Sequence, residues 1–580
     1  MKKLVILLFL LYTSQTVASK LHEGHNHNHN DHKAHAGYET HTDQYINLDF
    51  NTNSILGDVL QHQTNICTVR SGPTGSQTSV FFRGTNSNHT LVTINGSAIT
   101  DHSTSNGATD FGLINTNFAD GLHIVHGPMS TLYGANAVAG VVDLKTDMTT
   151  KNQLDTTVGS NNQYKMTFKK LWEQWSIGVS VDQSDGISTY PQGTEKDGYD
   201  IKSFSVGYDD EGHSLLAVRT DQVSDLDGSG ADDTDYTSNS KFTFLQYKNT
   251  SIDNIDIIVD TTVWDREYVN GTEVDTYDSA TYHGKVVHNI KTDKINNKTG
   301  VDINQYSAEF NNMGSYTSSV DKTATEYGVY NNLDYVIGNV TVSGGVRYDD
   351  NSMHGTHSTY RVGSAYTITN NWKLFGSIAT GYKNPTMYEM HGADNYGYSG
   401  NANLQPETSF NKEVGVSYSK KMMSFNATVY DTDIKDLITY SGSTYVNNTT
   451  NTSTMEGAEA TLKFKVGDFM FTNRYAHIHA VNGTGGWLLR RPHDTIHSMV
   501  MYTKGKFYIM PMLTYYGKHA DLHPSTYATV HVKERTTADL KLGYSNFTFE
   551  IANVFDDDYE RPLGYNQGGR ELKFTYSLKF

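Results

Sequence analysis

Apolar and polar residues alternate along most of the chain between Leu154 and the C terminus. Residues 572–580 show the pattern most clearly, with Leu, Phe or Tyr at every even position and Lys, Thr or Ser at every odd position. Residues 538–544 largely repeat it. A period of two places successive side chains on opposite faces of a β-strand. The pattern therefore predicts a series of about 22 antiparallel strands, each with one apolar face.

The connections between these segments alternate between short and long. Short turns are expected near Trp172, Glu211, Asn254, Asn296, Ile337, Asn371, Lys421, Gly467, Gly505 and Ser545. Long polar loops are expected near residues 185–198, 222–240, 269–281, 310–322, 384–406, 441–454, 481–493, 517–532 and 555–569. An up-and-down transmembrane barrel has short turns at one end and long loops at the other, whereas a Greek-key sandwich does not. The sequence thus predicts an all-β membrane barrel over residues 149–580, with apolar strand faces towards lipid.

Three short apolar runs lie within a glycine-rich polar stretch, residues 81–145, and they predict short strands. The runs are Thr90–Ile94, Leu122–Val125 and Ala137–Leu144. A helix is expected upstream, over Ser54–Gln61. This region is too short and too polar to form a large core alone, and a barrel of about 22 strands is an open hole unless something fills it. We therefore predict that residues 51–148 form an α+β plug domain that closes the barrel lumen.

The first 42 residues divide into two segments. Residues 1–19 have a basic start, a short apolar run and small residues near Ala18, which predicts a secretory signal peptide. Residues 20–42 form a histidine-rich leader whose polar composition predicts disorder. Because neutral imidazoles suit zinc, copper and nickel, this leader is either a solvated tail or a binder of such ions, Zn²⁺ in particular. Its candidate ligands are His22, His25, His27, His29, His32 and His35.

Composition narrows the class of protein further. The 580 residues include 12% aromatics, 50 Gly and only 9 Pro, which is typical of an all-β chain. The single cysteine, Cys67, excludes an intrachain disulfide. The net charge of −18 argues against nucleic acid as a partner, since phosphate binding needs a basic surface. We find no nucleophile elbow or phosphate-binding glycine loop, so we expect no catalytic residues and no enzymatic activity.

Several motifs occur in a recognisable order along the chain. The plug region contains LVTINGS at residues 91–97 and HGPMSTLYGANAVAGVV at residues 126–142, and the barrel contains GYKNPTMYE at 381–389, GNANLQPETS at 400–409 and IANVFDDDYE at 551–560. With these motifs the chain resembles the TonB-dependent outer-membrane receptors. It departs from the usual pattern at Lys383-Asn384, where Arg-Ala is common, and at Ala402, where Pro is common. The plug signature residues are Arg83, Gly84, Gly127, Pro128, Tyr133, Gly134 and Gly140.

This resemblance implies a receptor in the outer membrane of a Gram-negative bacterium. The family takes up scarce, metal-containing nutrients, energised by TonB and its inner-membrane complex. Expected partners are thus TonB, outer-membrane lipid and a small metal-containing ligand, for a monomer that requires no cofactor. An extended segment ahead of the plug, residues 43–50, could pair with TonB as an added strand. The candidate contact residues are Gln44, Tyr45, Ile46, Asn47 and Leu48.

Residues 81–97 and 556–571 are similar in particular to the vitamin B12 receptors, which implies a cobalamin-type substrate. The acidic loop 221–235 is similar in character to the loops that hold calcium in those receptors. Clustered carboxylates on a flexible loop suit Ca²⁺, and the alternative is an ordinary solvated acidic loop. The candidate calcium ligands are Asp225, Asp227, Asp232, Asp233 and Asp235.

A second cargo class remains open, namely haem, an iron–siderophore complex or zinc, which the leader favours. The plug loop 97–110 should face outward below the binding cavity. In haem receptors of the family, a histidine between the two central barrel motifs is a ligand, and His391 lies in that interval. His477 and His479 share one strand face, expected to be luminal. A passive porin, the alternative from another class, should lack a plug. The candidate substrate-binding residues are Asp101, His102 and His391.

Overall fold

The computed structural model describes residues 40–48, 54–63, 66–72, 74–146, 152–227, 232–312, 318–394 and 397–580. The predicted signal peptide, the six candidate ligands of the leader and residues 49–50 of the predicted TonB-contacting segment lie outside the described residues. Within the described ranges, no helix combines the length and the apolar character that a membrane span requires.

The N-terminal domain consists of short strands and short helices. Its elements are β1 (Asp43–Asn47), α1 (Leu56–Gln63), β2 (Cys67–Arg70), β3 (Thr78–Phe81), a 3-10 turn (Ser87–His89), β4 (Thr90–Ile94), β5 (Ser97–Ala98), β6 (Gly121–His126), α2 (Ser130–Tyr133) and β7 (Gly140–Lys145). Strands β1, β6, β7, β4 and β5 form one sheet in that order, in which β4 and β7 are parallel. The three apolar runs predicted to be strands are β4, β6 and β7, so this part of the prediction is confirmed.

The long second part of the chain forms the strands of a barrel and the short elements of its loops. These are β8 (Gln153–Gly159), β9 (Tyr164–Trp172), β10 (Trp175–Ile187), β11 (Asp197–Asp210), β12 (His213–Asp225), β13 (Tyr236–Ile252), β14 (Ile255–Asn270), β15 (Glu273–Lys291), β16 (Ile295–Asn312), β17 (Ser318–Ile337), β18 (Val340–Asn351), β19 (Gly355–Thr369), β20 (Trp372–Lys383), α3 (Met387–His391), β21 (Glu407–Lys420), β22 (Met423–Lys435), β23 (Leu437–Ser441), β24 (Thr444–Asn448), β25 (Ser453–Val466), β26 (Phe469–Val481), β27 (Asp494–Lys504), β28 (Phe507–Tyr516), β29 (His519–Leu522), β30 (Thr529–Val532), β31 (Arg535–Tyr544), β32 (Phe547–Ala552) and β33 (Glu571–Lys579). Hairpins β23–β24 and β29–β30 and helix α3 lie in loops. The other 22 strands close into one antiparallel barrel, in which β33 pairs with β8. The predicted closed barrel is therefore confirmed.

The barrel strands turn their apolar faces outward, as the period of two predicts. On β33, Leu572 and Phe574 are 42% and 43% exposed on the outer surface. On β12 and β13, the inward-facing Thr220 and Gln246 are buried against the interior. This arrangement is the inverse of a soluble sandwich and suits a surface surrounded by lipid.

The plug and the barrel wall share one hydrophobic core. Leu56 and Leu60 of α1 belong to the same buried cluster as Phe244 and Trp264 of the wall. The Trp264 indole Nε1 also donates a hydrogen bond to the Ile99 carbonyl oxygen, at 3.1 Å. Most of this cluster belongs to the plug itself, and five residues of β12, β13 and β14 complete it.

All ten predicted short turns connect neighbouring barrel strands at one end of the barrel. Two predicted long loops are wrong. The segment 269–281 contains only a two-residue turn, residues 271–272, and most of the segment 310–322 continues β16 and β17. These strands extend beyond the lipid, where no apolar outer face is needed. Their polar residues therefore resemble a loop in the sequence, although the hydrogen bonds between the strands continue. Residues 160–163 and 352–354 also form short connections at the long-loop end, where none were predicted.

Two further expectations need correction. His477 and His479 lie on the outer face of β26, not in the lumen, and the inward residues between and after them are Ile478 and Ala480. Alternation shows which residues share a face of β26, but it does not show which face points into the lumen. That depends on the register of β26 against the plug. Residues 40–42, assigned to the disordered leader, are ordered within the barrel, where His41 is buried.

Candidate functional site

A buried arginine of the plug binds two glutamates of the barrel wall. Arg83 follows β3 in a tight turn with φ of +48°. Its Nη1 donates to Glu413 Oε2 at 2.8 Å, and its Nε donates to Glu459 Oε1 at 3.0 Å. The guanidinium carbon also lies 4.5 Å from the centre of the Tyr430 ring. One cation is therefore shared between two carboxylates, and it ties the plug to β21 and β25.

Two histidines extend this ion cluster towards β1. His126, at the end of β6, has its Nδ1 3.4 Å from Glu459 Oε1. His41, two residues before β1, has its Nδ1 3.1 Å from Glu413 Oε1 and 2.8 Å from Arg361 Nη2. The chain leading into β1 is thus attached to the same glutamate that binds Arg83.

Two signature glycines permit close approaches that a side chain would prevent. Gly84 has φ of +82°, and a Cβ there would lie 2.7 Å from Ile478 Cγ2 of the wall. At Gly140 a Cβ would lie 2.4 Å from the Val125 carbonyl oxygen in the neighbouring strand. These residues therefore set the fit of the plug. The remaining signature residues, Gly127, Pro128, Tyr133 and Gly134, lie in the connection from β6 to β7 that contains α2.

The predicted TonB-contacting segment forms the edge strand of the plug sheet. His126 N donates to the Thr42 carbonyl oxygen at 3.0 Å, and Leu48 N donates to that of Asp120 at 3.1 Å. Hydrogen bonding alternates along an antiparallel strand. The backbone N–H and C=O groups of the even residues 42–48 therefore point towards β6, and those of the odd residues point away from it. Tyr45 is 41% exposed. The predicted contact residues, Gln44, Tyr45, Ile46, Asn47 and Leu48, thus lie on an extended segment at the edge of this sheet.

A cavity that opens to solvent lies between the plug loops and the barrel wall, and about 1080 Å³ there is free of protein atoms, open solvent included. The plug contributes the loop after β5 and the segment around α2. The wall contributes inward residues of β15 to β18, the end of β20 and residues 384–387 after it. Most of its lining residues are polar or charged, including Lys285, Asp302, Glu326, Arg347 and Lys383. The cavity can therefore accommodate a polar, hydrogen-bonding ligand.

Of the two predicted histidines, His102 lines this cavity and His391 does not, and the structure adds His354 to the lining. His102 lines the cavity and stacks on Tyr306, with ring centroids 3.9 Å apart. His354, in the turn between β18 and β19, also lines it. Burial, followed by the nearby charges of His357, Lys383, His102 and His391, lowers the pKa of His354 to about 4. His391 is at the end of α3. No sequence motif pointed to His354, which lies in an unpredicted turn.

Burial favours the neutral form of these imidazoles. Burial lowers the pKa of His102 to about 4, although the neighbouring Asp101 opposes the shift. Burial, followed by the charge of Lys322, also lowers the pKa of His391. A neutral imidazole keeps a lone pair for a metal ion or a hydrogen-bond donor.

Asp101 lines the cavity but also joins the plug to the wall. Its Oδ2 lies 2.8 Å from Arg266 Nε, and its Oδ1 accepts hydrogen bonds from Ser103 N and Oγ at 2.9 and 2.6 Å. The carboxylate therefore fixes the shape of the plug loop beneath the cavity, while His102 presents the adjacent ring.

Three carboxylates from two loops come together at the long-loop end. One oxygen each of Glu195, Asp197 and Asp227 lies within 4.8 Å of the others. Asp197 is fully buried, and its Oδ1 and Glu195 Oε2 have no hydrogen-bond partner. Burial and the negative charge of the neighbouring Asp227 raise the pKa of Glu195. Glu195 and Asp197 were missed because they lie about thirty residues before the acidic loop and meet it only when β11 and β12 pair.

Two of the other predicted calcium ligands, Asp225 and Asp232, join this pair of loops. Asp225 Oδ2 accepts from Gly198 N at 3.0 Å, and Asp232 Oδ2 accepts from Thr194 N at 2.6 Å. Asp233 accepts from Asn270 Nδ2 at 2.9 Å. Asp235 lies further along the loop, at the turn before β13. Only Asp227 of the five predicted ligands belongs to the three-carboxylate cluster.

Family comparisons agree with this architecture. Residues 146–554 match the family model described as TonB dependent receptor-like, beta-barrel. Residues 47–141 match that of the TonB-dependent Receptor Plug Domain. The chain therefore belongs to the TonB-dependent receptors of the Gram-negative outer membrane, which are transporters and not enzymes, and whose energising partner is TonB.

Individual relatives differ in their cargo. The chain is 26% identical to the vitamin B12 transporter BtuB of Photobacterium profundum over 559 residues, 90% of each chain. Among solved structures, the siderophore receptor PirA of Acinetobacter baumannii has a TM-score of 0.76 at 16% identity, covering 93% of this chain and 98% of that one. The copper transporter OprC has a TM-score of 0.78 at 15% identity, with the same coverage. These structural likenesses establish the fold alone.

Proposed function

We propose that this receptor imports a cobalamin-type substrate. The observation that carries the proposal is the 26% identity to a vitamin B12 transporter along 90% of both chains. The cavity above the plug supports it, because its many polar and charged groups suit a ligand rich in amides. Cargo would rest on the loop of Asp101 and His102 until TonB, acting on residues 43–50, displaces the plug. The receptor acts as a monomer embedded in outer-membrane lipid.

Equilibrium binding of cyanocobalamin tests this proposal. We expect saturable binding to the purified receptor in the presence of Ca²⁺, and energised uptake in cells that contain TonB. A receptor that is folded but shows no saturable binding of cyanocobalamin with Ca²⁺ present would contradict the cobalamin assignment, and it would leave membership of the family intact.

Calcium is proposed to order the extracellular loops through Glu195, Asp197 and Asp227. Carboxylate oxygens on flexible loops are the ligands that Ca²⁺ prefers, and a cation relieves the mutual repulsion of three clustered carboxylates. Because the pKa of Glu195 is raised, protons compete with Ca²⁺ more strongly as the pH falls. Calcium binding should thus weaken from neutral towards acidic pH.

Replacing Asp197 and Asp227 together with Asn should abolish the effect of Ca²⁺ on cyanocobalamin affinity, because two of the three charged ligands are lost. Affinity is measured with and without Ca²⁺ for each variant. The matched control is Asp235→Asn, a change in the same loop that leaves the three-carboxylate cluster intact. An undiminished calcium effect in the double variant would show that this cluster is not the site.

A second candidate cargo is haem or another metal complex with an open coordination position. His102 and His354 favour it, because both line the cavity and burial lowers their pKa values. On this alternative, the Soret band of haemin should shift when haemin binds to the receptor. His102→Ala should reduce haemin affinity at least tenfold. His213→Ala, at the opposite end of the barrel, is the control. Haemin affinity unchanged by His102→Ala would rule out this ligand set.

A further inference from the structure

Two histidines project from the outer surface of β26 near the long-loop rim. His477 and His479 are exposed and flank the buried Ile478. A period of two puts both imidazoles on one face of the strand, about 7 Å apart along it. This spacing suits two ligands of one metal ion.

A carboxylate on the neighbouring strand orients the first histidine. Asp494 is the direct cross-strand partner of His477 in the pairing of β26 with β27. His477 Nδ1 lies 3.0 Å from Asp494 Oδ1, and the two side chains are 47% and 41% exposed. When Nδ1 carries the proton and donates to the carboxylate, the lone pair is on Nε2, which is the arrangement of a metal-binding histidine with its supporting carboxylate.

A third imidazole comes from the residue before Asp494. The centroids of the His479 and His493 rings lie 6.5 Å apart. Two imidazoles bound to one zinc ion at about 2.1 Å have ring centroids roughly 5 Å apart. Because His479 is exposed, rotation of its side chain can close this difference. The main chain is already fixed, since Ile478 N donates to the His493 carbonyl oxygen at 2.8 Å.

The surroundings of these histidines are accessible from outside the cell. Tyr475, two residues below His477 on the same face, donates its hydroxyl to Asp494 Oδ1 at 2.8 Å. An exposed tyrosine at this position marks the outer aromatic girdle of a membrane barrel. The histidines therefore lie just beyond the lipid zone. Trp487 covers one side, with its ring centroid 4.1 Å from that of His493.

We propose that His477, His479 and His493 form an external binding site for a transition-metal ion such as Zn²⁺, Cu²⁺ or Ni²⁺. Nitrogen ligands select these ions over Ca²⁺ and Mg²⁺, which prefer oxygen. Asp494 positions His477 and offsets part of the charge of the ion. The site lies outside the barrel, separate from the cavity above the plug, so it does not depend on the identity of the imported cargo.

Quenching of Trp487 fluorescence reports metal binding close to Trp487, so it distinguishes this site from metal binding by the histidine-rich leader. The full mature receptor is titrated with Cu²⁺, which quenches a nearby indole, and Zn²⁺ is added as a competitor. The chain has only five tryptophans, so Trp487→Phe identifies the part of the quenching that belongs to the site. We expect His477→Ala/His479→Ala to raise the apparent Kd for this quenching at least tenfold. Asp494→Asn should raise it by a smaller factor, because only the orientation of His477 is lost.

The matched control is His213→Ala/His288→Ala, which removes two histidines at the short-turn end of the barrel. Cu²⁺ should quench Trp487 in this variant as it does in the wild type. Surface substitutions of this kind change stability little, and an unaltered melting temperature confirms folding. The proposal is overturned if the His477→Ala/His479→Ala variant is quenched like the wild type, or if Trp487→Phe removes none of the quenching.

Discussion

Replacing Arg83 with Ala is expected to loosen the plug and make the outer membrane permeable to large solutes. The change leaves Glu413 and Glu459 facing each other, both buried and without their shared cation. Removing one partner of a buried ion pair typically costs about 3–5 kcal/mol. Since the cluster joins the plug to the wall, this cost reduces the stability of the closed state. Conductance in planar bilayers and sensitivity of cells to large antibiotics measure the opening.

Two variants separate this effect from a general loss of stability. Arg83→Ala/Glu413→Gln/Glu459→Gln removes the uncompensated charges together with the arginine, so it should leak less than Arg83→Ala alone. Arg219→Ala breaks an exposed ion pair with Asp221 that contributes little to stability. This variant should therefore leak no more than the wild type. Equal leakage from the single and the triple variant would contradict a role for the buried charges.

Tyr45→Pro is expected to abolish energised uptake while leaving cargo binding unchanged. TonB would pair with the edge of β1 that faces away from β6, and the alternation of the bonds made by Thr42 and Leu48 directs the backbone of Tyr45 towards that edge. Proline has no N–H and blocks an added strand. The even residues of β1 still bond β6, so the plug sheet is retained. Uptake and surface binding of labelled cargo are measured in the same cells.

Tyr45→Ala is the matched control, because it removes the side chain and keeps the backbone N–H. Pairing by strand addition depends mainly on the backbone, so this variant should transport at no less than about half the wild-type rate. Deletion of residues 43–50 should also abolish uptake, but it removes an edge strand of the plug as well. Normal uptake by Tyr45→Pro would show that TonB contacts another segment.

Much of the fold was predictable because lipid imposes a simple rule on each strand. Residues such as Leu572 and Phe574 must face outward, and the alternation reveals this directly. The rule fails where strands extend above the membrane, as at residues 269–281, because no lipid then requires an apolar face. It also does not reveal which face of β26 is luminal, so His477 and His479 were misplaced.

The candidate sites were less predictable because they join distant parts of the chain. Glu195 meets Asp227 only through the pairing of β11 and β12, and His102 of the plug meets His354 only when the barrel closes around it. Asp101 was recognised from its loop, but its partner Arg266 is 165 residues away, on the wall. Contacts across the plug–barrel interface have no local pattern in the sequence.

The shared hydrophobic core has a consequence for biogenesis. Leu56 and Leu60 bury their side chains in a cluster completed by Phe244 and Trp264 of the wall. Before the barrel closes, the cluster lacks its five wall residues, so part of the apolar surface of the newly exported plug stays in contact with water. The plug therefore gains the last part of its buried core only when the barrel closes around it, which favours folding of the two domains together.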